Sequence, residues 1–257
     1  MPRLAANLSM MFTDRPFLER FAAAAACGFK GVEFLFPYEE SPEAVAAARE
    51  AAGVDVALFN LPAGDFAGGE RGLAALAGRD AEFAEGLERA LTYAKALSAR
   101  RLHLMAGLAP AAQRPRYLER LGMAADFFAP RGIHLTIEPI NLRDMPGYHL
   151  SLQEDALGVL EALARPNISL QMDFYHCQIM QGDLTRRLEA NLDQIGHVQI
   201  AGVPDRHEPD SGEVAYDRLL GHLDSLGYAG WVGCEYRPRG ETEAGLAWAE
   251  AFGIAAP

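Results

Sequence analysis

Short apolar runs alternate along the whole chain with longer segments in which apolar residues recur every three or four positions. The first pattern is that of strands buried on both faces, and the second that of helices with one buried face. Strands are expected at Arg3–Leu8, Gly31–Phe34, Asp55–Asn60, Arg101–Met105, Ile133–Ile137, Ile168–Met172, His197–Ile200 and Trp231–Cys234. Helices are expected between them over Pro16–Cys27, Pro42–Ala52, Arg79–Leu97, Pro115–Phe128, Ser151–Ala164, Asp183–Asn191 and Tyr216–Leu226, with a last one over Glu241–Phe252. Pro16, Pro42 and Pro115 stand at or near first helical turns, where a missing N–H costs nothing. Gly28, Gly53 and Gly227 stand where left-handed C-caps are expected.

Eight such strand–helix units, with no linker, low-complexity tract or break in composition, predict one domain over residues 1–257. The predicted fold is α/β, a closed (β/α)8 TIM barrel, and the length suits it. An open doubly wound sheet is the alternative, but no glycine-rich phosphate loop follows the first strand. One connection is unusually long and glycine-rich, Leu61 to Gly78, on the face where barrel active sites lie.

Composition narrows the class of partner. Half the residues are hydrophobic, enough for a large core without staples. The formal net charge of -12 repels phosphate backbones, which argues against nucleic acid as a partner. Cys27, Cys177 and Cys234 show no metal-type spacing and read as reduced thiols of a cytoplasmic protein. Neither a signal segment at the N-terminus nor a membrane span is expected.

The chemistry lies at the strand ends. Glu138, Asp173, Gln199 and Glu235 each end an apolar run in the second half of the chain, about one strand–helix unit apart. In a parallel barrel all four side chains converge at one edge. Three carboxylates crowded together repel one another unless a cation sits between them. The all-oxygen set suits Mg²⁺ or Mn²⁺ better than zinc, which favours histidine and cysteine. Asn7, Glu33, Asn60 and His103 end the other strands. Any one of these could be an ordinary hydrogen-bonding residue, but eight around one ring point to a site. His176 follows Asp173 by three residues and is placed to touch substrate, and Arg71 is the useful reagent of the long loop.

Neither a His-Glu-x-x-His pattern nor a Gly-x-Ser-x-Gly elbow occurs, which points away from covalent serine chemistry. A metal between two glutamates suits an α-hydroxy carbonyl substrate, whose enediolate it would stabilise. One glutamate would remove a C–H proton and the other return it to the neighbouring carbon.

Several stretches resemble the hydroxypyruvate isomerase family of xylose-isomerase-like barrels. They include Asn7-Leu8-Ser9-Met10-Met11-Phe12, Gly31-Val32-Glu33-Phe34-Leu35-Phe36-Pro37-Tyr38, Gly69-Glu70-Arg71-Gly72, Thr136-Ile137-Glu138-Pro139-Ile140-Asn141, Gln171-Met172-Asp173-Phe174-Tyr175-His176, His197-Val198-Gln199-Ile200-Ala201 and Gly233-Cys234-Glu235-Tyr236. The resemblance implies that Glu138 and Glu235 are the acid/base pair and also metal ligands, with Asp173 and Gln199 completing the site. It places His176 and Arg206 near positions that contact substrate in the related ketose epimerases, and Arg71, in the glycine-rich loop, and His103, at a strand end, are the other substrate-binding candidates. The implied reaction interconverts hydroxypyruvate and tartronate semialdehyde (2-hydroxy-3-oxopropanoate), a small hydroxy-oxo acid pair. The branch also contains 2-oxo-tetronate isomerases, and the superfamily contains ketose 3-epimerases and DNA-repair endonucleases. A homo-oligomer is left open.

Overall fold

The computed structural model describes residues 1–257. Eight parallel strands close into a barrel in chain order: β1 (Arg3–Asn7), β2 (Gly31–Phe34), β3 (Asp55–Asn60), β4 (Arg101–His103), β5 (His134–Ile137), β6 (Ile168–Asp173), β7 (Ile195–Ile200) and β8 (Trp231–Cys234). Helices α1 (Phe17–Ala26), α2 (Pro42–Ala52), α3 (Asp80–Ala96), α4 (Arg114–Phe128) and α5 (Gln153–Leu163) alternate with the first six strands. Two helices, α6 (Phe174–Met180) and α7 (Leu184–Asn191), lie between β6 and β7, and α8 (Tyr216–Ser225) lies between β7 and β8. No helix is long and apolar enough to cross a membrane. The three cysteines are free and buried.

The local signals act as expected. Ser41 caps α2 by accepting from the Ala44 N–H, Pro42 opens that helix, and Gly53 ends it at φ 64°. Two differences from the expected elements matter. The chain after Asp173 is helical at once, because the Asp173 side chain caps α6 by accepting from the Tyr175 N–H at 2.7 Å. The last segment, Glu243–Phe252, is a 3₁₀ helix. There Gly245 packs so closely on Glu208 that a Cβ would lie 2.5 Å from its Oε1.

Loop Leu61–Gly78 contains no regular element, yet it is tied down. Glu70 pairs with Arg79 and accepts from the Asp65 N–H at 2.6 Å, while Leu73, Ala74 and Ala75 are buried. Gly72, at φ 118°, lies so close to the Met105 carbonyl that a Cβ would sit 2.4 Å from its oxygen.

Polar side chains fill part of the barrel interior. Glu33 on β2 meets His197 and Gln199 on β7, which is not a neighbouring strand, so the contact crosses the barrel. Asn7, Thr136 and Gln171 join the same buried network.

Candidate active site

Of the predicted strand-end residues, Asn60, His103, Glu138 and Glu235 border a cleft of about 780 Å³ at the C-terminal mouth of the barrel, while Asn7, Glu33, Asp173 and Gln199 are buried and do not line it. His103, Glu138, His176, Arg206, Glu235 and Arg71 all line it. Ligand atoms of Glu138, Asp173, His176 and Glu235 lie within 4.8 Å of one another, and all four residues are buried.

Each carboxylate is held differently. Asp173 spends Oδ1 on the α6 cap, and its Oδ2 is buried without a hydrogen-bond partner. Glu138 follows β5 and precedes Pro139, which favours extended backbone there, and its Oε1 is also buried without a partner. Glu235 accepts from Arg206 Nη2 at 2.7 Å and from Asn7 Nδ2 at 3.3 Å. Arg206 Nη2 lies 3.7 Å from Asp173 Oδ2.

Orphaned buried carboxylate oxygens are costly unless a cation or donor meets them. Three carboxylates converging with two such atoms therefore fit a hard divalent cation of the Mg²⁺ or Mn²⁺ kind.

His176 belongs to this group by distance, its Nε2 lying 3.6 Å from Asp173 Oδ2 and 3.7 Å from Glu138 Oε1. Its tautomer gives it a different role. Asn141 Oδ1 accepts from the Asp144 N–H, which turns Asn141 Nδ2 toward His176 Nδ1 at 2.6 Å. A ring nitrogen that accepts leaves the proton of a neutral imidazole on Nε2. Nε2 then faces the two carboxylates, with Arg206 Nη2 also 3.4 Å from it.

Burial raises Glu138 well above the usual carboxylate range, and the charges of Glu235 and Asp173 push the same way. Glu235 is raised to about 8, chiefly by burial, with Arg206 opposing and Asp173 and Glu33 adding. Burial likewise raises Asp173 against the opposing charge of Arg206. His103 is pushed down to about 3 by burial, so it stands neutral, with Nδ1 3.6 Å from Glu138 Oε2 and Nε2 unpartnered.

Gln199 pairs in register with Asp173 on one side and Gly233 on the other. Its Nε2 donates to Glu33 at 2.8 Å and its Oε1 accepts from Gln171 at 2.7 Å. Arg71 donates from Nη1 to the carbonyls of Phe66 and Glu70 and lies over the Phe66 ring at 4.1 Å.

Two further arginines line the cleft and were not singled out from the sequence, Arg143 and Arg237. Arg143 donates to the Tyr175 hydroxyl and the Pro204 carbonyl, bracing the loops after β5 and β7. The only sequence signal was the Asn141-Leu142-Arg143-Asp144 run, in which Asn and Asp three apart favour a side-chain-closed turn.

Residues 21–252 match the family model for the xylose isomerase-like TIM barrel. The chain is 53% identical to a protein of Cupriavidus necator named 2-oxo-tetronate isomerase, over 98% of this chain and 99% of that one. It is 43% identical to the hydroxypyruvate isomerase of Escherichia coli, over 98% of this chain and 100% of that one. A crystal structure of a Brucella melitensis protein, named AP endonuclease, family 2, matches with TM-score 0.96 and 50% identity, covering 98% and 99% of the two chains. Nearly full-length identity of this order, on a closed eight-stranded barrel with its polar residues at the expected strand ends, means that the chain belongs to the hydroxypyruvate isomerase family of xylose isomerase-like TIM barrels.

Proposed function

We propose that this protein isomerises a small hydroxy-oxo acid by moving a proton between adjacent carbons. The pair is hydroxypyruvate and tartronate semialdehyde, or the corresponding 2-oxo-tetronate pair. The observation that carries the reading is geometric: Glu138 and Glu235, at the ends of β5 and β8, are buried on one cleft with ligand atoms within 4.8 Å of each other, where a pair of proton-transferring carboxylates can reach adjacent carbons of one small substrate. One glutamate takes the C–H proton, and the other, already protonated, gives its own proton to the neighbouring carbon of the enediolate. The hydroxyl proton passes to the former carbonyl oxygen, and the two glutamates re-equilibrate with solvent between turnovers. Glu138, Asp173 and Glu235, with Gln199, would hold a Mg²⁺ or Mn²⁺ ion, which when bound supplies Lewis acidity to the substrate oxygens.

Around the carboxylates the cleft offers donors. His176 presents Nε2–H, Arg206 lies against Glu235, and Arg71 and Arg143 line the walls. An anionic substrate suits such a cleft in a chain of net charge -12. The name of the 53%-identical relative favours the four-carbon acid. An epimerase of neutral ketoses would have no use for a carboxylate clamp. The name of the Brucella protein raises a nuclease reading. Three carboxylates with one histidine, in so acidic a chain, do not support a multi-zinc phosphodiesterase.

The test is turnover of both acids in parallel, run in D₂O. With Mg²⁺ or Mn²⁺ supplied, deuterium should enter the reacting carbons of substrate and product. Absence of exchange with every acid and sugar tried would remove the isomerase reading.

A further inference from the structure

Glu33 is fully buried, and nothing in the proposed proton transfer uses it. Its Oε1 accepts from Asn7 Nδ2 at 3.0 Å and Gln199 Nε2 at 2.8 Å, and its Oε2 pairs with His197 Nε2 at 2.7 Å. The barrel is shaped around it. A Cβ on Gly233 of β8 would lie 2.2 Å from Glu33 Oε2, so only glycine leaves the carboxylate its place.

A carboxylate accepts hydrogen bonds and donates none, whereas a carboxamide has one end of each kind. Facing Glu33, Gln199 must therefore turn its NH₂ inward. That fixes Oε1 on the other side, where it accepts from Gln171 Nε2 at 2.7 Å and keeps a second lone pair. Gln171 is itself oriented, since its Oε1 accepts from the Thr136 hydroxyl at 2.7 Å. Asn7 is fixed in the same way. Its Oδ1 accepts from the Ser9 N–H at 3.1 Å, and its Nδ2 bridges Glu33 and Glu235. Flipping either amide would set lone pair against lone pair in a buried network with no compensating donor.

We propose that Glu33 is the positioning residue of this site, fixing the direction of two amides so that Gln199 offers oxygen to a cation and Asn7 offers a donor to Glu235. This rests on the reading that Gln199 helps to hold a divalent ion. Glu33 touches no reacting atom and acts through Asn7 and Gln199.

The test is a double-variant cycle read by Mn²⁺ affinity, measured by electron paramagnetic resonance on purified protein, with thermal unfolding alongside. Glu33→Gln removes the obligatory acceptor and should weaken Mn²⁺ binding by about 10- to 100-fold, the range for groups that orient a metal ligand. Gln199→Met removes the amide that Glu33 orients together with the oxygen it offers, and should itself weaken Mn²⁺ binding. With that amide gone, adding Glu33→Gln should cost less Mn²⁺ affinity than it does in the wild-type background. If Glu33→Gln alone does not fold, Gln199→Met decides, since a folded Gln199→Met protein that binds Mn²⁺ like the wild type overturns the proposal. A Glu33→Gln protein that binds Mn²⁺ like the wild type, or a Glu33→Gln loss that is undiminished in the Gln199→Met background, overturns it too. Wild-type protein that binds no Mn²⁺ would remove the metal reading itself, and this proposal with it.

Discussion

Arg206 donates from Nη2 to Glu235 Oε2 at 2.7 Å, placing a guanidinium on one of the two carboxylates that the proposed proton transfer requires. The arrangement is built rather than incidental. Arg206 adopts φ 58°, a left-handed conformation that costs a non-glycine residue about 1–2 kcal/mol. Surrounding contacts must hold it there. The Arg206 N–H donates to the Gly202 carbonyl at 2.8 Å, and its own carbonyl accepts from the Arg237 N–H at 2.8 Å.

Removing that guanidinium leaves Glu235 and Asp173 without their nearest cation. Arg206→Met should therefore destabilise the metal-free protein by about 3–5 kcal/mol, the range for breaking a buried ion pair. Added Mg²⁺ or Mn²⁺ should recover much of this, because a cation bound only by the folded state stabilises it. Thermal unfolding with and without metal measures both. An equal loss in the two conditions would separate Arg206 from the cation-binding carboxylates.

Glu138→Gln and Glu235→Gln should each lower turnover by at least about 10², the lower end for loss of a general acid or base. Metal content must be measured beside the rate, since both residues are also proposed ligands. A metal-loaded Glu→Gln protein with near-normal turnover would rule that residue out of the proton transfer. Asp173→Ala should instead lose the metal first, and with it the N-cap of α6.

Much of this site was legible because strand ends in a parallel barrel share one edge. Glu138, Asp173 and Glu235 are fixed by the repeat of the strand–helix unit, and the structure brings them together as that repeat implies. The helix after Asp173 was not foreseen, because the residue that suggests a metal ligand also serves as a cap, and the capping bond uses only one of its oxygens. The tautomer of His176 was hidden for another reason. It depends on Asn141, 35 residues earlier, whose amide is turned by Asp144 in a loop with no periodic signal. Glu33 was visible as a polar strand end. Its partner His197 was not, since a histidine inside an apolar run gives no hint of a carboxylate across the barrel.

The cysteines should be chemically silent in the folded protein. Burial raises Cys27 to about 11 and Cys177 to about 12, and Cys234 also lies well above its usual value. A raised thiol pKa means less thiolate at neutral pH, and the thiolate is the reactive form. Labelling with a disulfide reagent at pH 8 should be slow until denaturant is added, when all three react. Fast labelling of one thiol in the native state would show that its surroundings open locally.

Arg71 is expected to read the substrate carboxylate, which separates an acid isomerase from a sugar epimerase. Its Nη1 is committed to the carbonyls of Phe66 and Glu70, and its guanidinium rests on the Phe66 ring. That leaves the Nε–Nη2 edge for a ligand in the cleft, the edge that pairs with a carboxylate through two parallel hydrogen bonds. The loop beneath is braced by Glu70 and Arg79, so the arginine is held in place before substrate arrives. Lysine has neither the planar fork nor the stacking face. Arg71→Lys should raise KM for the acid and lower kcat/KM by roughly 10- to 100-fold, about 1.4–2.7 kcal/mol of lost transition-state stabilisation. Some of that loss should fall on kcat, because the carboxylate is bonded to one of the reacting carbons and a misplaced anchor misplaces the C–H bond. Neutral ketoses, if turned over, should lose far less. Equal losses on acids and sugars would mean that Arg71 only supports the loop, and an unchanged acid reaction would move the clamp to Arg206 or Arg143.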